Sequence, residues 1–497
     1  MLNNRASGVL LPIFSLPGSQ GIGVLGKEAF EFIDFLAESK QKYWQVLPIG
    51  VTSYGDSPYQ SFSSYAGNPY FIDLEEMIEM GYLNKNDVYG IPWSRFVNYE
   101  ELWHRKYALL RKAFNNGFEE LKADIRNFSE KNQWLQDFSL FMALKNHFNH
   151  VSRSSWPESQ FKKYGIRQEV LQVIRKDRDF YMFIQYFFFK QWHSLKKYAH
   201  SNGIKIVGDM PIFVSEDSVD VWAYPEYFQL DSTGKPTVVA GVPPDAFSDT
   251  GQLWGNPLYN WNEMQRDHFS WWVDRIKDSL RLFDMLRLDH FRGFEAYWAV
   301  PYGDTTAENG QWIKAPGSYL FDTVHHALGS ISAIAEDLGV ITDEVRDLIK
   351  QTGFPGMKIL LFAFNHIEAN SLYRPHYFPK NCVVYTGTHD NETVAGWFKD
   401  GDPRDVECAA RYFNLKNSTP ESFARVFVEA AWKSNADLAI APMQDILGLD
   451  NHARINRPST LCNNWRWRLE YLPDQNIIKF LTELTINSKR VPGGNEK

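Results

Sequence analysis

Cysteine is scarce. The chain of 497 residues holds three, Cys382, Cys408 and Cys462, widely spaced and without a Cys-x-x-Cys pair. Neither a disulfide framework nor a cysteine zinc site is expected, and a reducing cytoplasm is the simplest home. No apolar run reaches the ~18 residues a membrane span needs. The opening MLNNRASGVLLPIFSLPG carries one Arg and a short apolar run broken by Pro12, a poor signal peptide. A P-loop is missing. Gly21-Ile22-Gly23 precedes the first strand-like run instead of following one, so it is no dinucleotide fingerprint. No HxxxH or HExxH spacing occurs, which leaves a metal role for His290, His389, Asp289 and Asp390 weakly supported; no metal and no cofactor is expected. Positive charge is in deficit, with 52 Lys and Arg against 60 Asp and Glu and a net charge of −8. That argues against nucleic acid as the main partner.

Apolar residues are plentiful at 44%, charged ones ordinary at 23%, so the chain is globular. Aromatics reach 15%, with 17 Trp, 24 Tyr and 36 Phe. They fit a large core, and they fit a cleft in which flat rings stack on sugar faces. The length suits a barrel of about 250 residues with insertions, or two to three ordinary domains.

Short apolar runs ending in polar or acidic clusters recur along the chain. They are Tyr43 to Ile49, Lys205 to Gly208, Asp284 to Leu288, Ile331 to Ala335, Cys382 to Tyr385 and Leu438 to Met443, with Met357 to Leu361 a weaker member. Continuous rather than alternating runs suit parallel strands buried on both faces. Helical patterns lie between them: Lys27 to Ser39, a Trp103/Tyr107/Leu110/Phe114 stripe, Met182 to Ala199, and Asp343 to Thr352 closed by Gly353 and Pro355. This alternation predicts an α/β chain, a (β/α)8 TIM barrel over residues 1–497 with large helical and loop insertions and no separate C-terminal β domain. Residues 76–178 read as an inserted, mainly helical subdomain. Residues 215–261, rich in Gly, Pro, Asp and Trp, read as an inserted active-site loop region. Val491 to Lys497 looks like a loose tail.

Acids collect where barrel enzymes place their chemistry, at the C-terminal ends of strands. Arg287-Leu288-Asp289-His290-Phe291-Arg292-Gly293 sets a carboxylate between two arginines after an apolar run. Arg287 and Asp289 are two apart, so in a strand both point to one face. The pair suits a structural ion bridge, and it suits an ionised, aimed nucleophile. Glu336 and Asp390 end two further runs, and Asp209 a fourth. Two carboxylates flanking one bond can break a glycosidic linkage, one as nucleophile or base and one as acid, and a third can stabilise the positive charge that develops.

The ordered motifs SGVLLP (7–12), YGDSPYQ (54–60), GDMPIFV (208–214), GVPPD (241–245), GQLWGNP (251–257), RLDHFRG (287–293), EDLG (336–339), GFPGMK (353–358), THDN (388–391) and NWRW (464–467) closely resemble those of the 4-α-glucanotransferases of glycoside hydrolase family 77, in the α-amylase clan. The resemblance spans nearly the whole chain. It implies Asp289 as nucleophile, Glu336 as acid/base and Asp390 as the transition-state acid. It also implies sugar contacts from Tyr59, Asp209, Trp254, Arg287, His290, His389 and Asn464. Donors and acceptors would be α-1,4-glucans and maltooligosaccharides. Asp450-Asn451-His452-Ala453-Arg454 and Ser459 to Asn463 depart from the family pattern near the last strand, where Asn464 lies. GDMPIFV replaces the DxxxNH region of the wider clan, which weakens the inference of the calcium site common among amylases.

These expectations add up to a retaining double displacement, with carboxyl groups roughly 5–5.5 Å apart. The stretch from Gly241 to Trp254 is the candidate for excluding water. An α-glucan hydrolase and a non-catalytic glucan-binding protein are the alternatives.

Overall fold

The computed structural model describes residues 5–491 other than 89–93, 158–162, 164, 245–247 and 369–370. The expected tail, apart from Val491, and Asp245 of the GVPPD motif lie outside these.

Among the described residues twelve strands follow one another: β1 (Ala6–Leu10), β2 (Tyr43–Gln45), β3 (Lys205–Met210), β4 (Val238–Val242), β5 (Gln252–Pro257), β6 (Met285–Leu288), β7 (Ala296–Pro301), β8 (Gln311–Lys314), β9 (Ala333–Ala335), β10 (Gly356–Ile359), β11 (Cys382–Tyr385) and β12 (Leu438–Pro442). Eight of them close into a barrel in the order β1-β12-β11-β10-β9-β6-β3-β2, and every pairing in it is parallel. This is the (β/α)8 barrel. The short apolar runs form it because each strand is covered on both sides, by its neighbours' side chains inside and by helices outside. Seven of the eight barrel strands coincide with the apolar runs. The eighth, Ala6–Leu10, was not among them, because Ser7 and Gly8 interrupt its apolar character. Gly8 is required there: a Cβ at that position would lie 2.4 Å from the Tyr43 carbonyl oxygen of β2.

The barrel interior is layered. Tyr43, Val207, Met285, Ile334, Met357, Val383 and Leu438 belong to one buried apolar cluster that fills the lumen. Two residues further along the same inward face the character changes. Val207 gives way to Asp209, Met285 to Arg287, Tyr43 to Gln45 and Val383 to Tyr385, whose hydroxyl donates to Gln45 Oε1 at 2.8 Å. The strands therefore deliver a polar layer to the C-terminal end of an otherwise apolar barrel.

Between β2 and β3 the chain builds helices, among them Tyr99–Lys131 and Trp134–His147. Both pack on helix Arg175–Ser201, which runs directly into β3. Helix Tyr99–Lys131 starts where the Asn98 side chain accepts from the Glu101 amide, and it buries Leu102, Leu110, Phe114, Leu121 and Ile125 along one stripe.

The four remaining strands make a second, antiparallel sheet in the order β5-β4-β7-β8. Its two hairpins leave the barrel on either side of β6. The stretch 215–261 is therefore not simply loop: it holds helix Val219–Ala223 and strands β4 and β5. Their partner β7 lies beyond β6 in sequence, a non-local pairing that composition does not reveal. After β12 the described residues form helical segments and loops, ending in helix Gln475–Asn487.

Candidate active site

Strand register builds the centre of the site. Arg287 of β6 sits opposite Asp209 of β3 and Ile334 of β9. Its Nη1 donates to both carboxylate oxygens of Asp209, at 2.8 and 2.7 Å, and to Asp289 Oδ1 at 2.9 Å. Its Nη2 lies 3.8 Å from Glu336 Oε2. One buried guanidinium thus faces three carboxylates from three neighbouring strands. Burial opposes its charge, but Asp209 and Asp289 outweigh burial and hold Arg287 above its ordinary value. Besides its bond to Asp289, Arg287 makes two shorter ones to Asp209. The Asp209 side chain is fully enclosed and also accepts from the Tyr59 hydroxyl at 2.9 Å.

Asp289 directly follows β6, and its amide donates to the Met210 carbonyl at 3.1 Å. His290 then turns into the left-handed region, with φ of 48°. That turn aims the His290 amide at Glu336 Oε2 and starts the short helix Phe291–Phe294. Gly293 closes the motif because a Cβ there would meet Ile212 at 2.8 Å and the His290 ring at 3.1 Å. Glu336 is fixed by its own backbone, the amide donating to Leu288 and the carbonyl accepting from Phe291. Burial raises the pKa of Glu336 above the carboxylate range, Arg287 counters it, and Asp289 raises it further. Burial also raises Asp289, again against Arg287. The direct bond to Arg287 belongs to Asp289, which favours the charged form of Asp289.

Asp390 stands on the loop after β11 and is the most exposed of the four acids, its side chain 43% accessible. Its Oδ1 accepts from Asn456 Nδ2 at 2.6 Å, and its carbonyl accepts from Arg454 Nη2 at 2.8 Å. Beside it His389 is buried and stacks on Tyr59, with ring centroids 5.2 Å apart and planes at 18°. Trp465 lies 5.7 Å from the Tyr59 ring and 5.8 Å from that of His389. Burial lowers His389 despite the nearby Asp390, and it drives His290 down to about 3, with Arg292 adding to the effect. Both imidazoles are neutral at ordinary pH and available as hydrogen-bonding groups. On the opposite side Trp254 of β5 meets the His290 ring edge to face at 4.8 Å.

Nine of the ten sequence-derived residues therefore converge through a connected set of contacts. Asn464 differs. Its Oδ1 accepts from the Arg457 amide at 3.0 Å, and its Nδ2 donates to Thr460 O and Oγ1 at 2.9 and 3.0 Å. The side-chain amide is spent on its own loop, in the segment where the family pattern is broken. Asn456 and Trp465 of the same loop reach the site instead. No motif singled out Asn456; only its place two residues after the Ala453-Arg454 pair hinted at it.

Two further strand-end acids are braces. Asp337 accepts from the Met357 amide at 2.6 Å and ties β9 to β10. Asp445, after β12, accepts from Thr386 Oγ1 at 2.5 Å and from the Val394 amide at 2.8 Å, so it pins both ends of the loop that carries His389 and Asp390.

Among the described residues one trio, His366, Asp402 and Asp405, brings metal-type ligand atoms within 4.8 Å of one another. Asp402 is already paired with Arg404, and Asp405 accepts from both the His366 amide and ring. It is a satisfied network outside the carboxylate cluster. Among the described residues no helix is long and apolar enough to cross a membrane.

Residues 11–474 match the family Glyco_hydro_77, described as 4-alpha-glucanotransferase. A 4-alpha-glucanotransferase of Clostridium butyricum is 50% identical over 463 residues, 92% of this chain and 94% of that one. That of Thermus thermophilus is 47% identical over 476 residues, 94% of this chain and 95% of its own. Among solved structures, amylomaltase from Streptococcus agalactiae in complex with acarbose superposes with a TM-score of 0.94 at 40% identity, covering 98% of this chain and 100% of that one. With the barrel, the motifs and near-complete coverage in agreement, the chain belongs to glycoside hydrolase family 77, the 4-alpha-glucanotransferases.

Proposed function

We propose that the chain moves an α-1,4-glucan segment from a donor glucan to the 4-hydroxyl of an acceptor glucan or glucose by a retaining double displacement. Asp289 attacks the anomeric carbon while Glu336 protonates the departing glycosidic oxygen. The glycosyl ester on Asp289 is then displaced by the acceptor 4-hydroxyl, which Glu336 deprotonates. Asp390 stabilises the oxocarbenium-like charge and, with its 43% exposed carboxylate, is placed to meet sugar hydroxyls.

The single observation that carries this reading is the shared guanidinium. Arg287 reaches Asp289 at 2.9 Å through Nη1 and Glu336 at 3.8 Å through Nη2. Two carboxyls from different strands thereby face one guanidinium, and only one of them is hydrogen-bonded to it. That asymmetry is what separates a nucleophile from an acid.

Tyr59, His389 and Trp465 supply an aromatic and hydrogen-bonding wall on one side, Trp254 and His290 on the other. Asp209 acts through Arg287 and Tyr59. Asn464 shapes the loop that delivers Asn456. The extension 215–261, Gly241 to Trp254 within it, borders the site and favours a sugar acceptor over water. The helical insertion 76–178 is a subdomain of the one barrel, its long helices packed on helix Arg175–Ser201. Donors are maltooligosaccharides or glucans of the starch and glycogen type, no cofactor takes part, and the protein works in the cytoplasm.

The test is product analysis with maltotriose. Longer glucans plus glucose, with little net gain in reducing ends, are expected. A rise in reducing ends that tracks turnover would mean hydrolysis and would overturn the transfer reading.

A further inference from the structure

The antiparallel sheet touches the segment after Asp289 at several points, and the proposed reaction uses one of them, where Trp254 meets His290. Another contact is Trp312 of β8, whose ring centroid lies 3.7 Å from the guanidinium carbon of Arg292. Arg292 is buried, and its Nη1 donates to the Val340 carbonyl at 2.5 Å, in the loop that begins with Glu336. Its Nε is buried without a partner, so the indole face supplies compensation that hydrogen bonds do not. Trp312 is itself held. Its cross-strand neighbour Trp298 packs edge to face at 5.3 Å, and Trp298 Nε1 donates to the Ala307 carbonyl at 2.8 Å. The Glu295 amide donates to the Arg292 carbonyl at 2.9 Å, and the Glu295 carboxylate takes Lys314 of β8. Sheet, Asp289 turn and Glu336 loop are thus joined through one arginine.

We infer that Arg292 and Trp312 form a positioning pair for the acid/base: Arg292 ties the Glu336 loop to the Asp289 turn, and Trp312 clamps that tie from the sheet. The inference rests on the reading of Glu336 as the acid. Neither residue carries a proton in the reaction. Their effect is to hold Glu336 within reach of the glycosidic oxygen, where small misplacements are expensive.

The experiment compares two donors that differ in their need for an acid. With maltotriose the leaving sugar oxygen must be protonated. With α-maltosyl fluoride the C1–F bond breaks, the C1–O bond to Asp289 forms, and fluoride departs without a proton. Single-turnover fluoride release and steady-state transfer from maltotriose are measured for wild type, Arg292→Lys, Trp312→Ala, Trp312→Phe and Glu336→Gln. Arg292→Lys and Trp312→Ala are expected to lower kcat on maltotriose by about tenfold with KM little changed, while fluoride release stays within about twofold of wild type. Trp312→Phe, which keeps a ring face, recovers most of the loss. Equal losses on both donors, or no loss on either, would overturn the pairing, since a merely structural role does not distinguish leaving groups. Arg292→Lys and Trp312→Phe keep the test open should Trp312→Ala fail to fold. If Glu336→Gln loses fluoride release as severely as maltotriose transfer, the assignment of Glu336 fails independently of Arg292.

Discussion

The two ends of β6 and β9 make opposite use of the same strands. At their N-terminal ends Met285 and Ala333 line a cavity of about 280 Å³, rimmed by His325, Asp322 and Gln351. At their C-terminal ends Arg287, Asp289 and Glu336 converge on one point with Asp209 behind them. The lower cavity holds one carboxylate, engaged with a neutral amide, Gln351 Nε2 donating to Asp322 at 3.1 Å. A cavity by itself is therefore a weaker pointer to chemistry than charge gathered against a desolvation cost.

Asp289→Asn tests the comparison most severely. Turnover is expected to fall by about 10⁴-fold or more while circular dichroism and the melting transition are retained. Next comes the buried frame. Asp209→Ala leaves the Arg287 charge short of its bidentate partner and should cost about 3–5 kcal/mol of unfolding free energy in urea titrations, with activity lost as well. Asn456→Ala should reduce kcat about tenfold by freeing Asp390 Oδ1, since a hydrogen bond to a charged group contributes about 1.5–3 kcal/mol. At the other end of the strands, His325→Ala should leave maltotriose transfer within about twofold of wild type. A tenfold loss there would abolish the contrast between the two ends.

A pH experiment sharpens the same contrast. Burial raises Glu336 in the folded protein, so the folded state retains a proton that the unfolded chain releases. Stability then falls as pH rises from the ordinary glutamate value through the raised one. Glu336→Gln removes that penalty, so its gain in melting temperature should be larger at pH 8 than at pH 5. Activity limited by protonated Glu336 should fall as pH rises through the raised value. A gain independent of pH would mean that the raised acid is another group.

Much of this was legible in the residues. Continuous apolar runs closed by acids mark buried parallel strands, and Asp209, Asp289, Glu336 and Asp390 stand out by that rule. Three things were not legible. Strand β1 hides because Ser7 and Gly8, the latter letting it approach Tyr43, dilute its apolar signal. The second sheet hides because β4 and β7 pair across the whole of β6. Asn464 matched a motif, yet the motif does not say which way the side chain turns. A loop with Ser459, Asn463 and Trp465 all at positive φ folds its amide inward and lets Asn456 reach Asp390. Strand ends transmit position from sequence because the barrel fixes them, and long loops do not.

The left-handed turn at His290 has a chemical consequence. One peptide unit separates the carbon that carries Asp289 from the amide that holds Glu336, and the Asp289 charge is among the causes that keep Glu336 protonated. In the proposed reaction, esterifying Asp289 would remove that charge, and the same glutamate would more readily remain a carboxylate. The group proposed to give up a proton in the first half of the cycle and accept one in the second would thereby be retuned by the intermediate itself.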